Sequence, residues 1–133
     1  NEIEREREIV KRNFQEALDL GVNIVMGSDT FCQEITPFGQ FSLEEIKTMT
    51  ECGLKPYEAL EAATVKAAEL IFPGRKIGLI KEDYIADFVI LKRNPVEDIH
   101  VLEKENIIAV IKDGKPQAGK IDLFINNEKE IMQ

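Results

Sequence analysis

The sequence predicts an α/β fold, and three observations indicate it. Apolar residues from Ile3 to Leu18 recur at helical spacing with Glu and Arg between them, as in an amphipathic helix. Gly21 ends that helix and an apolar strand, Val22–Met26, follows at once, as in the tight helix-to-strand joins of α/β units. Beyond Pro73 the pattern changes to short β-type runs. We therefore expect a helix, a strand and a loop, then two helices and a small antiparallel sheet.

The later elements are predicted from caps and turns. Ser42 with Glu45 forms a capping-box pattern that starts one helix, and Pro56 is placed to open another that runs to about Ile71. Asp113-Gly114 is a strong hairpin signal, because both residues accept positive φ angles. The apolar runs predict strands over 77–80, 86–91, 107–111 and 121–125.

Composition narrows the class of protein. The chain has 133 residues, enough for one domain or two small pieces, and contains no apolar stretch long enough for a membrane helix. A net charge of −8 argues against a nucleic-acid partner. Cys32 and Cys52 lack CxxC spacing, so we expect free thiols and a cytoplasmic location. The chain opens at Asn1 directly in helical pattern, as though a longer protein had been cut.

The most informative residue is Asp29, which follows the apolar strand and Gly27. A carboxylate at the carboxyl end of a buried strand is where barrel enzymes keep catalytic groups. The only histidine, His100, lies far downstream, so we expect Asp29 to be one member of a metal site whose other members are absent. The alternative is a turn or helix-capping aspartate. Ser28 and Thr30 are expected to set the geometry of the strand end.

The strand Val22–Met26 also has no parallel neighbour in this sequence. Its backbone groups need partners, which must come from missing sequence or from another chain.

Several motifs then resemble one family in order along the chain. They are Gly21-Val22-Asn23-Ile24-Val25-Met26-Gly27-Ser28-Asp29, the helix pair Glu51–Thr64, Gly78-Leu79-Ile80, Ala86-Asp87-Phe88-Val89-Ile90-Leu91, Asn94-Pro95-Val96-Glu97-Asp98-Ile99, and Val110-Ile111-Lys112-Asp113-Gly114. The sequence resembles the C-terminal third of metal-dependent amidohydrolases, closest to prolidase-like and imidazolonepropionase-like members.

The resemblance implies a (β/α)8 TIM-type barrel with a small β-sandwich. Residues 1–72 would form the C-terminal end of the barrel, with its last strand, and 73–133 the C-terminal part of the sandwich. Asp29 matches the family's aspartate that contacts the metal-bound water and acts as general base and acid. One or two divalent ions, with zinc expected, are held in the family by histidines of earlier strands.

The resemblance also implies hydrolysis of a C–N bond in a dipeptide or cyclic amide. Phe31 and Phe38 are candidates for the substrate pocket or for plain packing under the loop, and Phe38 stands where many relatives carry His. His100 is expected to be a surface or structural residue, and Asp87 to be structural, with a hydrogen bond to a turn.

The partners expected are the substrate and the remaining barrel strands, with a homo-oligomer left open and no membrane or nucleic acid. The competing hypothesis is a non-catalytic fragment or a structural subunit of a split barrel.

Overall fold

The computed structural model describes residues 2–30, 34 and 39–119. Four α-helices come first and a three-stranded sheet last, with two short 3-10 helices at Ile99–Val101 and Lys104–Asn106. The α-helices are α1 (Glu2–Asp19), α2 (Gln40–Glu51), α3 (Pro56–Ala63) and α4 (Val65–Ile71); the strands are β1 (Phe88–Leu91), β2 (Ile107–Lys112) and β3 (Lys115–Gly119). None of the described helices is long and apolar enough to cross a membrane.

The first helix ends as its sequence predicts. Gly21 has a φ of 72°, its N–H donates to Leu18 O at 2.9 Å, and the N–H of Val22 donates to Ala17 O at 3.0 Å. These two bonds form a Schellman motif, in which a left-handed glycine satisfies the last carbonyl groups of a helix. The motif turns the chain sharply into the segment that leads to Asp29.

The helical predictions needed two corrections. The helix predicted to start at Ser42 begins at Gln40, with Gly39 at its N-cap. The helix predicted from Pro56 to Ile71 is broken at Thr64, where φ is −122° and ψ is −92°, so it forms α3 and α4. The Thr64 hydroxyl donates to Leu60 O at 2.7 Å, and such back-bonding is known to bend helices.

The core joins both halves of the chain. Ile46 and Met49 of α2 and Ala59 and Ala62 of α3 pack with residues of the later segment; the cluster is Ile46, Met49, Ala59, Ala62, Ile99 and Leu102. Lys47 is also buried, and its ammonium group lies 3.1 Å from a Glu44 oxygen and 3.8 Å from a Glu103 oxygen. The core thus crosses the expected boundary between residues 72 and 73, and the two-domain division stays a prediction.

The sheet is antiparallel in the order β1-β2-β3. Val110 pairs with Val89 on one side and Ala118 on the other. Asp113 and Gly114 have φ angles of 51° and 71°, which confirms the predicted tight hairpin. The predicted strand at 77–80 is not formed, and the predicted strand at 121–125 lies outside the described residues.

Candidate functional site

The segment 22–30 carries Asp29 past the edge of the core. Ile24 and Met26 are half-buried and pack against the core cluster. The N–H of Met26 donates to Ala62 O of α3 at 3.0 Å, which ties the segment to a fully buried position. Gly27 follows immediately and is exposed. The segment is therefore anchored at Met26, two positions before the Ser28-Asp29-Thr30 sequence.

The predicted strand Val22–Met26 is not formed among the described residues. A strand exists only where a second strand accepts and donates its hydrogen bonds. The described sheet consists of β1, β2 and β3, all of which come later in the chain. The segment Val22–Met26 therefore lacks the neighbouring strand that the sequence analysis expected from elsewhere.

Asp29 itself is exposed and has a left-handed backbone, with a φ of 47°. This conformation costs most L-residues roughly 1–2 kcal/mol, although Asp adopts it more readily than most. The hydroxyl oxygens of Ser28 and Thr30 lie 2.5 Å apart and share a hydrogen bond. This bond, the Ser28–Thr30 hydroxyl bridge, spans Asp29.

Within the described part of the chain, no residue forms a hydrogen bond or an ion pair with the Asp29 carboxylate. A carboxylate with free oxygens can accept a proton or ligate a cation. The Ser28–Thr30 hydroxyl bridge and the left-handed backbone together place the Asp29 carboxylate beyond the segment that is anchored at Met26. The sequence motif identifies Asp29, whereas the hydrogen bond across it is seen only in the structure.

The donor set around Asp29 does not fit a complete metal site. Across residues 2–30, 34 and 39–119, no three His, Cys, Asp or Glu side chains come together in a way that could hold an ion. His100 is exposed in the first 3-10 helix. Its backbone N–H donates a hydrogen bond to Asp98 Oδ1 at 3.0 Å. The surface position expected for His100 is confirmed. Asp29 therefore offers one carboxylate ligand, and the described residues supply no further set.

Phe31 and Phe38 lie outside the described residues, as does Cys32, so their roles stay predictions.

A groove of about 600 Å³ lies behind the segment, between the helices and the sheet. Its walls are mainly apolar and include Met26, Leu43, Leu60, Phe88 and Val110. The sequence places these residues in helical or strand patterns and carries no signal that they border a groove.

Two titratable groups, one on α2 and one at its C-cap, have raised pKa values. Burial raises the pKa of Glu45 above its usual 4.5. Burial also raises the pKa of the free Cys52 thiol; the negative charges of Glu51 and Glu45 act in the same direction and Lys11 opposes them. A protonated thiol is a poor nucleophile, so Cys52 is a packing residue.

The fold and this site define a segment of an α/β protein that presents one carboxylate, with no further metal donor set among its described residues. The chain belongs to the amidohydrolase family, whose family model matches residues 4–116. This confirms the resemblance stated from the motifs.

Three relatives illustrate the match. Ochratoxinase of Aspergillus niger is 36% identical over 104 residues, which cover 77% of this chain and 21% of that protein. Imidazolonepropionase of Kosmotoga olearia is 29% identical over 99 residues, covering 74% of this chain and 24% of that protein. The crystal structure of a Xaa-Pro dipeptidase with bound methionine in its active site matches with a TM-score of 0.71 and 34% identity.

The match to the dipeptidase covers 83% of this chain and 26% of that structure. The chain thus spans about a quarter or less of the length of these relatives.

Proposed function

We propose that this chain is the C-terminal part of an amidohydrolase that hydrolyses a C–N bond in a dipeptide or a cyclic amide. The observation that carries the proposal is the family match over residues 4–116, because it includes Asp29 and its supporting segment. The likeness to proteins called Xaa-Pro dipeptidase and imidazolonepropionase supports these two substrate classes.

In this proposal residues 1–72 are the C-terminal end of a (β/α)8 barrel, and the segment Val22–Met26 is its last strand. Residues 73–133 are the C-terminal part of a β-sandwich. The exposure of Val22 supports this arrangement, since 53% of its surface is open although it belongs to an apolar run. Ile3 and Val10 of α1 are exposed as well, at 62% and 61%. Neighbouring barrel elements would cover these side chains.

Asp29 is the proton-handling group in the proposed reaction. Its carboxylate takes a proton from the attacking water and returns it to the leaving nitrogen, acting first as base and then as acid. Exposure and the absence of a described hydrogen-bond partner leave both oxygens open to substrate and water. The same carboxylate is the proposed metal contact.

The proposed cofactor is one or two divalent ions, with zinc as the expected metal. Such an ion lowers the pKa of its bound water to about 7. Because the described residues lack a donor set, the proposal assigns its remaining ligands to histidines elsewhere in the complete protein. The proposed partners are accordingly the substrate and the other barrel strands.

The test uses the complete protein and a panel of Xaa-Pro dipeptides and cyclic amides. Turnover of at least one substrate is expected, and Asp29→Asn should lower kcat about a hundredfold or more, the usual contribution of general acid–base catalysis. Asp113→Asn is the matched control, because Asp113 is also exposed and left-handed, with a φ of 51°. Equal kcat values for the two variants would show that Asp29 does not take part in the reaction.

A further inference from the structure

Within the described part of the chain, the orientation of the Asp29 carboxylate is set by its own backbone. Among the described residues, no hydrogen bond or ion pair holds that carboxylate in place. Its backbone has a φ of 47°, a conformation that an L-residue leaves readily unless its surroundings fix it. A fixed orientation matters for proton transfer, because the base must lie within hydrogen-bond reach of the proton it takes.

Few of the described residues could fix the backbone of Asp29. Met26 is anchored to Ala62, but Gly27 follows it, and a glycine has the widest choice of backbone angles. Apart from Gly27 and its two chain neighbours, no described atom lies within 4 Å of the position that a Gly27 Cβ would take, so none of the described residues restrains it by packing. Among the described residues, the first restraint after Met26 is therefore the hydroxyl bridge between Ser28 and Thr30, 2.5 Å long.

We propose that Ser28 and Thr30 are positioning residues, which hold Asp29 in its left-handed conformation and so aim its carboxylate at the reacting water. This inference rests on the proposed function and adds two residues to it. The bridge joins the residues before and after Asp29, so it restricts the φ and ψ angles between them. Both are only half-buried, so the restraint comes from the bond itself more than from packing.

The test compares isosteric variants of Thr30 in the complete protein. Thr30→Val keeps the shape and removes the hydroxyl, whereas Thr30→Ser keeps the hydroxyl. For Thr30→Val we expect kcat to fall about ten- to a hundredfold, the usual effect of a misplaced catalytic group, with KM within about twofold. Thr30→Ser should retain kcat within about threefold, and Ser28→Ala should resemble Thr30→Val.

Thr48→Val, at an exposed position of α2, is the matched control and should leave kcat unchanged. A Thr30→Val enzyme with wild-type kcat would overturn the inference, and so would a loss that Thr30→Ser shares. These failures are distinct from failure of the proposed function, in which Asp29→Asn itself keeps its activity.

Crystal structures of the variants give a second readout that does not depend on any substrate. In Thr30→Val the φ angle of Asp29 should leave the left-handed region or its carboxylate should occupy several positions, while Thr30→Ser should resemble the parent. An unchanged Asp29 in Thr30→Val would overturn the inference even if no substrate were found.

Discussion

The carboxylate of Asp87 accepts a hydrogen bond of 2.6 Å from the backbone N–H of Asp113, 26 positions later in the chain. The next N–H, that of Gly114, donates to Ala86 O at 3.0 Å. The entry to β1 is thus tied twice to the turn between β2 and β3. The structural role expected for Asp87 is confirmed, and it explains why an acidic residue precedes an apolar strand.

Asp87→Ala should destabilise the protein by about 1 kcal/mol, because it leaves the Asp113 N–H without its acceptor. Asp87→Asn keeps an acceptor oxygen and should cost less. Urea unfolding of both variants measures the difference. Equal losses for the two variants would mean that the hydrogen bond contributes nothing to stability.

Gly78→Ala should be more damaging than Gly74→Ala, although both glycines have a φ of 83°. A Cβ at Gly78 would lie 3.0 Å from both Ala68 Cβ and Thr64 O. At Gly74 no described atom beyond the two chain neighbours would lie within 4 Å of a Cβ. We expect about 1 kcal/mol for the backbone cost at Gly74. At Gly78 crowding should add about 1 kcal/mol or more. Thermal unfolding of the two variants separates the backbone cost from the cost of crowding. Equal losses of stability in the two variants would contradict the crowding at Gly78.

Features set by neighbouring residues could be predicted from sequence. The end of α1 at Gly21 and the hairpin at Asp113-Gly114 each depend on one or two residues with a left-handed backbone. The residue types at these positions, Gly and Asp, indicate that backbone in the sequence. The break at Thr64 could not be predicted in this way, since a β-branched residue inside a helix is tolerated far more often than it bends one. The failed strand Ile77–Ile80 shows the same limit, because an apolar run does not form a strand without a partner.

In the candidate site, too, some features could be predicted from the sequence and others could not. The motif ending in Asp29 identified the residue, and its exposure is consistent with use by a ligand. Its left-handed backbone and the Ser28–Thr30 hydroxyl bridge depend on atomic positions that spacing alone does not determine. The sequence contains a single histidine, so the other ligands of a metal site were expected from elsewhere, and that expectation stays a prediction.

Glu58 should titrate below its ordinary pKa of 4.5. The largest cause is the hydrogen bond from the Lys55 N–H to Glu58 Oε2, 2.8 Å long, and a bond from the Tyr57 hydroxyl to Oε1 at 3.1 Å acts in the same direction. The lysine side chain has no acceptor, so among the described residues Glu58 supplies the side-chain cap at the start of α3.

Because the folded pKa lies below the unfolded one, Glu58 contributes stability that is fully present above pH 4.5 and lost as the pH falls through the lowered value. Carboxyl NMR titration measures this pKa directly. Tyr57→Phe should move it back towards 4.5, and Tyr84→Phe serves as the control. Titration of the parent protein at or above 4.5 would contradict the capping interaction.

A chain of residues 1–133 alone should retain no stoichiometric zinc after dialysis. Asp29 is a single carboxylate, and the described residues provide no group of three donors around it. Catalytic zinc is held by about three protein ligands, so one exposed carboxylate cannot retain the ion against exchange. Elemental analysis after dialysis against a metal-free buffer measures the content, and the complete protein, treated in parallel, should keep at least one ion. One zinc per isolated chain would show that this segment carries ligands of its own, and the site would then have to be placed within it.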